Sequence, residues 1–234
     1  MPLSDAERQE LLGLYKSLRV ADVRDALDTF LFHYACTMAA EIRPLWRTRA
    51  YGIARTVRYL PYQGGIPRVA PEEYWAWVYK YYAEVCSYPW MRTIQEGDFW
   101  VVDQSGVDAG LMGSENSLAA WRKGARGFVS NGAVRDTDEI ILQQIPFWSA
   151  FVSQKMVQAR LQYDAMDVPV CVGGVTVVPG DVVVADGDGV VVVPQKLARE
   201  VAHYAEAEHR RDMATRREHY RALGRPPDET VAGG

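Results

Sequence analysis

The stretch that decides the fold runs from Gly106 to Asp136 and reads GVDAGLMGSENSLAAWRKGARGFVSNGAVRD. Its glycines lead directly into a helix predicted over 114–124, and the buried strand GFVSN follows that helix. On either side, FWVVD and PFWSAF predict further strands, and another helix is predicted over 137–144. Strands that alternate with helices in this way indicate an α/β fold.

The flanking segments add helices and a valine-rich block to this core. Ser4 and Glu7 form a capping box that predicts a helix over 5–18, and a second helix is expected to begin near Ala21. Residues 52–60 alternate as a strand does. Between residues 169 and 194, three valine-rich runs are separated by turn residues that suit tight antiparallel connections.

The chain is predicted to form a single domain over residues 1–234, because no linker divides it. An N-terminal helical segment occupies 1–20, and the core occupies 20–195. A long polar helix is predicted over 196–224, with Gly224 and two prolines ending it.

Composition excludes several classes of protein. The formal charge of −4 argues against non-specific nucleic-acid binding, which depends on neutralising phosphates. The apolar runs are far shorter than the roughly 20 residues of a membrane-spanning helix. Charges interrupt the first twenty residues, so no signal peptide is predicted and a cytoplasmic location is expected. Cys36, Cys86 and Cys171 lie far apart and are expected to be buried thiols.

The chain also lacks the residues that several catalytic mechanisms require. It has only four histidines, three of them in the polar C-terminal helix, so a histidine-based zinc or iron site has too few ligands. Any metal is therefore expected to be bound by oxygen ligands, which favours Mg²⁺ or Mn²⁺. No lysine lies in an apolar strand, which disfavours Schiff-base chemistry. No GxSxG motif is present, which disfavours a hydrolase triad.

Residues 74–90 carry more aromatic side chains than one stripe of a helix can bury. Three interpretations remain open for this segment: an ordinary core helix with a loop, a subunit interface, or the wall of a substrate pocket.

Two short motifs are candidates for chemistry. The helix start at Gly113, Ser114, Glu115 and Asn116 exposes unpaired N–H groups that can bind a carboxylate or phosphate, although a plain turn with a helix cap fits as well. Arg135 and Asp136 follow a buried strand, where α/β proteins bind ligands. The guanidinium can face an oxyanion and the carboxylate can hold a cation, or the pair can simply fix the turn.

These motifs resemble the family shared by RraA proteins and the class II 4-hydroxy-4-methyl-2-oxoglutarate/4-carboxy-4-hydroxy-2-oxoadipate aldolases. The family signature is G-[DE]-x-x, a helix, and a strand ending in D-G-x-x-R-D, and the spacing from Gly113 to Asp136 fits it without insertion. Further matches lie at residues 25–28, 52–57 and 172–189, so the resemblance covers roughly residues 20–195. It implies a swivelling β/β/α sandwich that assembles as homotrimers or homohexamers with active sites at subunit contacts.

The resemblance also implies roles for individual residues. Pyruvate binds through its carboxylate to backbone amides at the helix start, which corresponds here to residues 113–116. Arg135 corresponds to the arginine that stabilises the enolate oxygen, and Asp136 to the aspartate that helps hold Mg²⁺ or Mn²⁺. Two positions depart from the family: Ser114 stands where many of the aldolases have an acid, and Asn131 where they have Asp.

The leading hypothesis is a metal-dependent lyase that acts on a small oxo-acid by retro-aldol cleavage or β-decarboxylation through an enolate. The alternatives are a non-catalytic regulator that docks on a ribonuclease or helicase, and a different enolate reaction such as isomerisation or cyclisation. The C-terminal helix offers Glu206, Glu208 and Asp212 as acids for a neighbouring subunit's site, although their alternating charges favour a solvated helix face.

Overall fold

The structure is a computed structural model that describes residues 3–231. The helices are α1 Asp5–Leu14, α2 Val20–Thr29, α3 Tyr74–Glu84, α4 Ser114–Arg122, α5 Thr137–Leu142 and α6 Ala198–Ala222. The strands are β1 Arg43–Pro44, β2 Ala50–Pro61, β3 Asp98–Asp103, β4 Gly110–Met112, β5 Gly127–Val134, β6 Phe147–Val152, β7 Leu161–Met166, β8 Val170–Val172, β9 Val175–Val177, β10 Val182–Asp186 and β11 Gly189–Val193.

Among the described residues, nine strands form one mixed sheet in the order β1-β6-β5-β3-β2-β10-β11, with β4 beside β5 and β7 beside β2. The four central strands β2, β3, β5 and β6 are parallel, because helices α3, α4 and α5 connect them. The outer strands pair antiparallel. The mixed α/β fold predicted from the sequence is therefore confirmed.

Strand β5 changes its neighbour at Asn131 and Gly132. Its first half pairs with β3 and its last residues pair with β4, and the pairing with β6 is irregular between these two parts. The amide of Asn131 holds the junction: Oδ1 accepts from the Gln104 N–H at 2.7 Å, and Nδ2 donates to Asp103 Oδ1 at 2.7 Å. This change of neighbour brings β4, and the start of α4, next to the end of β5.

Buried side chains form three clusters around the sheet. One cluster, which includes Trp90 and Trp100, packs with α3. A second joins α1, α2 and α6 to β10 and β11. In the third, the separate β8–β9 hairpin covers the sheet with Val170, Val172, Val175 and Val177. A hairpin, a sheet and helices therefore form successive layers, as the predicted sandwich requires.

Several predicted elements differ in detail from the observed ones. The capping box of Ser4 and Glu7 is present, but α1 ends at Leu14 rather than at residue 18. The valine-rich block forms four short strands rather than three, because a strand precedes and follows each of the hairpin turns. Strand β7 was not predicted. Cys171 is exposed rather than buried, since it points away from the hairpin face that covers the sheet.

The C-terminal helix α6 packs mainly on α2. Its acids pair with arginines of the same chain: Glu206 with Arg210, Glu208 with Arg211 and Asp212 with Arg19. These pairs are partly or largely exposed, as on a solvated helix face. None of the helices in the described range is both long and apolar enough to cross a membrane.

Candidate active site

The predicted site residues lie together at the ends of β4 and β5, around a cavity of about 230 Å³. The cavity is lined by Trp75, Val78, Tyr79, Tyr82, Gly110, Leu111, Gly113, Glu115, Asn116, Arg135, Asp136 and Met156. All the predicted residues except Ser114 are in this lining, and Ser114 joins the site through its backbone N–H.

Two glycines make room for the Arg135 side chain. The Arg135 N–H donates to the Met112 carbonyl at 3.0 Å, which continues the pairing of β5 with β4. A Cβ on Gly110 would lie 2.7–2.9 Å from Cβ, Cγ and Cδ of Arg135, and a Cβ on Gly113 would overlap Asp136 Oδ2. Only the absence of both Cβ atoms lets Arg135 and Asp136 lie against β4 and the start of α4.

Asp136 binds the two groups that the sequence assigned to the substrate. Its backbone is in the left-handed region at φ 53°, which aspartate tolerates better than most residues. One carboxylate oxygen accepts from Arg135 Nε at 3.2 Å, and the other accepts from the Ser114 N–H at 3.3 Å. The positive end of α4 and the guanidinium both stabilise this carboxylate anion. The Ser114 N–H, predicted to bind substrate, is therefore engaged by Asp136.

Other hydrogen-bond donors of the site are free. Within residues 3–231, neither Nη atom of Arg135 has a hydrogen-bond partner. The N–H groups of Glu115 and Asn116 in the first turn of α4 also have no partner in that range, as expected at a helix start. The site thus presents a guanidinium and two amides to the cavity, and these donors suit two oxygens of an organic acid.

Helix α3 forms the opposite wall. Trp75, Val78, Tyr79 and Tyr82 are spaced as one stripe of a helix and all line the cavity. Val78 and Tyr81 are buried in the core. The aromatic segment therefore serves partly as core and partly as pocket wall, which are two of the interpretations that the sequence left open.

Tyr88 is outside the lining but contacts it through Leu111. Its hydroxyl donates to the Leu111 carbonyl at 2.9 Å, and its ring packs against Tyr59, Tyr82 and Trp90. Burial raises the pKa of Tyr88 well above its usual value, so the phenol stays protonated and keeps this hydrogen bond. The sequence signalled only the aromatic density, and it did not single out Tyr82, Tyr88 or Met156 as site residues.

The carboxylates of the cavity suit a hard divalent cation with few protein ligands. Asp136 and Glu115 both line it, whereas the described residues contain no cluster of three or more His, Cys, Asp or Glu side chains that could hold a metal. Mg²⁺ usually takes one or two carboxylates together with waters and substrate oxygens. Asn131 is outside this lining and its amide is engaged elsewhere, so the missing acid at that position removes no ligand from the cavity.

Two larger depressions elsewhere lack this combination of groups. One of about 640 Å³ lies between α3 and the loop after β2, and one of about 400 Å³ lies beside Arg8 and Arg55. Both arginines are engaged by the buried Asp98. The cavity at Arg135 is smaller, but it combines free donors, carboxylates and an apolar wall.

Comparisons with known proteins place the chain in a family. Residues 20–192 match the family described as RraA-like, Aldolase/RraA. A protein of Thermus thermophilus named 4-hydroxy-4-methyl-2-oxoglutarate aldolase is 37% identical over 101 residues, which is 42% of this chain and 60% of that protein. A protein of Ectopseudomonas mendocina named putative 4-hydroxy-4-methyl-2-oxoglutarate aldolase is 36% identical over 104 residues, 44% of this chain and 64% of that protein. The match thus spans about three fifths of the length of these curated relatives.

Solved structures resemble almost the whole chain. An uncharacterized protein from Pseudomonas syringae aligns with a TM-score of 0.72 at 28% identity, over 92% of this chain and 93% of that one. RraAS2 of Streptomyces coelicolor, described as an unusual member of the RNase ES inhibitor RraA protein family, aligns with a TM-score of 0.71 at 26% identity, over 92% of this chain and 98% of that one.

Proposed function

The chain belongs to the RraA-like family, and from that premise we propose that it is a divalent-metal-dependent carbon–carbon lyase. It acts on a small oxo-acid by retro-aldol cleavage or β-decarboxylation, and both reactions pass through an enolate. One observation carries the proposal: the free Nη groups of Arg135 lie in the same cavity as the free N–H groups of Glu115 and Asn116.

These donors bind different oxygens of the substrate. The N–H groups of Glu115 and Asn116, at the positive end of α4, bind the substrate carboxylate. The Nη groups of Arg135 donate to the 2-oxo oxygen and stabilise the negative charge that grows on it as the carbon–carbon bond breaks. Arg135 is already oriented for this, because Asp136 holds its Nε at 3.2 Å.

Asp136 and Glu115 are the residues that would hold Mg²⁺ or Mn²⁺. Bound there, the cation would act as a Lewis acid and polarise the substrate carbonyl. Asp136 then has two tasks, since it also caps α4 through the Ser114 N–H. We assign the proton transfers to water held in the cavity.

The proposal extends to assembly and location. We expect a homotrimer or homohexamer, which static light scattering would measure. We expect a cytoplasmic enzyme without a nucleic-acid partner, because its three cysteines are free thiols and its net charge is −4.

The direct test is pyruvate release from a panel of 4-hydroxy-2-oxo acids and from oxaloacetate, each assayed with Mg²⁺, with Mn²⁺ and with excess EDTA. We expect turnover of at least one substrate that EDTA abolishes and either cation restores. Turnover that persists in EDTA would contradict the metal requirement, and no turnover under any condition would contradict the lyase assignment.

A regulatory role is the second candidate, because the chain aligns over 92% of its length with RraAS2, a member of an RNase inhibitor family by description. A regulator of this kind would bind a ribonuclease and inhibit RNA cleavage without releasing pyruvate. Gel-based RNA cleavage with and without the protein, run beside the pyruvate assay, separates the two functions.

A further inference from the structure

The charges around the cavity limit the kind of acid that it can accept. Its lining contains one cationic side chain, Arg135, and two carboxylates, Glu115 and Asp136. A divalent cation held by those carboxylates would bring the net charge of the cavity to +1, which balances one substrate carboxylate. A second substrate carboxylate would lie beside α3, where the lining formed by residues 3–231 offers it no cation to replace the water that it gives up.

The wall opposite Arg135 suits an apolar group instead. Trp75 and Tyr79 are 58% and 69% exposed, which is unusual for two large aromatic side chains one helical turn apart. Their ring centroids are 6.4 Å apart with an interplanar angle of 38°, so they form an inclined pair. Val78 and Tyr82 belong to the same stripe of α3, and Met156 is also part of the lining. An aromatic ring placed here would bury apolar surface on both partners.

We propose that the substrate is a monocarboxylic 4-hydroxy-2-oxo acid with an aromatic group at C4, and that Trp75 and Tyr79 determine this specificity by packing against that group. The inference rests on the proposed lyase function and names its substrate class. The acid end occupies the donors at α4 and Arg135, and the aromatic end lies against α3. The dicarboxylate named for the relatives of Thermus and Ectopseudomonas lacks such a group.

The reaction balances without a further reactant. The bond between C3 and C4 breaks, and its electron pair passes into the enolate of pyruvate. The C4 hydroxyl loses its proton to water and becomes the carbonyl of an aromatic aldehyde. C3 then takes up a proton, which yields pyruvate.

Two substrates that share C1 to C4 test the proposal. One is 4-hydroxy-2-oxo-4-phenylbutanoate, and the other is 4-hydroxy-4-methyl-2-oxoglutarate. With Mg²⁺ present, we expect kcat/KM for the phenyl compound to be higher by about tenfold or more, as one well-packed aromatic contact provides. A smaller difference, or a preference for the dicarboxylate, would overturn the inference and leave the lyase function standing. No turnover of either compound or of any other oxo-acid would overturn both.

Variants of the wall provide the second measurement. Trp75→Ala and Tyr79→Ala should each lower kcat/KM for the phenyl compound by about tenfold, mainly through KM, and should lower kcat/KM for 4-hydroxy-4-methyl-2-oxoglutarate by less. Tyr34→Ala is the matched control, because Tyr34 is a fully exposed tyrosine far from this lining in the sequence and absent from it. An unchanged preference in both wall variants would overturn the role of α3. Circular dichroism spectra that match the parent show that α3 is still folded.

Discussion

A Cβ atom on Gly110 would lie 2.7 Å from both Cβ and Cγ of Arg135. The arginine therefore lies directly across the backbone of β4, and its position depends on a residue that has no side chain. The atoms that would collide are close to the Arg135 backbone, so rotation of the guanidinium cannot relieve the contact. This relationship links the glycine-rich segment of the sequence to the orientation of the group that is proposed to stabilise the enolate.

Gly110→Ala should consequently lower the proposed lyase activity more than it destabilises the fold. We expect kcat to fall about 100-fold, because displacement of a catalytic group by about 1 Å has effects of that size. Overpacking should lower the free energy of unfolding by about 1–3 kcal/mol. Pyruvate release and urea denaturation measure the two effects. Gly13→Ala is the control, since a Cβ there meets nothing within 4 Å. Full activity in Gly110→Ala would show that Arg135 need not lie where it does.

Removal of the Arg135 charge should affect catalysis and little else. Arg135→Gln is expected to lower kcat by about 100-fold to 1000-fold, the usual effect of losing an oxyanion donor. Stability should change by less than about 1 kcal/mol, because the ion pair of Arg135 with Asp136 is partly exposed. Arg122→Gln, on the exposed side of α4, is the matched control and should keep both properties. An Arg135→Gln variant with near-normal kcat would exclude the arginine from the proposed reaction.

Asp136→Asn should change the metal requirement, unlike Arg135→Gln. Asparagine tolerates the left-handed backbone at this position, so the fold should persist. Its amide has only one oxygen, so it cannot accept from both Arg135 Nε and the Ser114 N–H as the two carboxylate oxygens do. The amide is also uncharged, so it attracts a cation less strongly. We expect the Mg²⁺ concentration for half-maximal activity to rise about 10–100-fold. Asp138→Asn in the first turn of α5 is the control. Identical Mg²⁺ titrations for Asp136→Asn and the parent would argue against Asp136 as a ligand.

The sequence predicted those helices and strands whose formation depends mainly on residues close to one another in the chain. Strands β3 and β5 are almost fully buried, and β6 is buried over its first three residues. All three are apolar runs in the sequence, and glycines or caps bound the helices between them. Strand β7 escaped prediction because its side chains after Leu161 are mostly half-buried and its partner is the distant end of β2. Only that long-range pairing makes residues 161–166 a strand.

The candidate site was also predicted only where it depends on residues close together in the chain. The sequence placed Arg135 and Asp136 beside the helix start at Gly113, because a strand end and a helix start lie at the same edge of the sheet. It did not reveal that Asp136 would cap that helix, which depends on the left-handed backbone at Asp136. It also could not choose among the interpretations of residues 74–90, since the position of α3 depends on contacts with distant residues, such as the hydrogen bond from the Tyr81 hydroxyl to the Leu161 carbonyl.

The three cysteines should differ sharply in reactivity. Cys171 is exposed, whereas Cys36 and Cys86 are buried. Burial raises the pKa of the Cys86 thiol to about 12 and also raises the pKa of Cys36, so neither forms much of the reactive thiolate at pH 8. Iodoacetamide at pH 8 should add one carbamidomethyl group to the folded protein, on Cys171, and three in denaturant. Mass spectrometry of tryptic peptides would check this, with Cys171→Ser as the unlabelled control. Rapid labelling of Cys86 would contradict its burial.

Asn131→Asp would restore the acid that the family motif has at this position, and we expect it to destabilise the protein. The Asn131 amide donates to Asp103 Oδ1 at 2.7 Å, so the substitution replaces a donor with a second carboxylate at hydrogen-bonding distance. At pH 7 the free energy of unfolding should fall by about 1–3 kcal/mol, from lost hydrogen bonds and like-charge repulsion.

The pH dependence of that loss identifies its electrostatic part. Repulsion favours proton uptake by the two carboxylates in the folded variant, so the folded state binds more protons than the unfolded state over the acidic range. Its stability therefore falls as the pH rises, and the deficit relative to the parent should shrink between pH 7 and pH 4.5. Asn131→Ala loses the hydrogen bond to Asp103 without adding a charge, and it also loses the oxygen that accepts from the Gln104 N–H, so its deficit should depend less on pH than that of Asn131→Asp. Urea denaturation of the parent, Asn131→Asp and Asn131→Ala at pH 7 and at pH 4.5 measures these deficits. If the deficits of the two variants change equally with pH, residues 103 and 131 do not form a carboxylate pair.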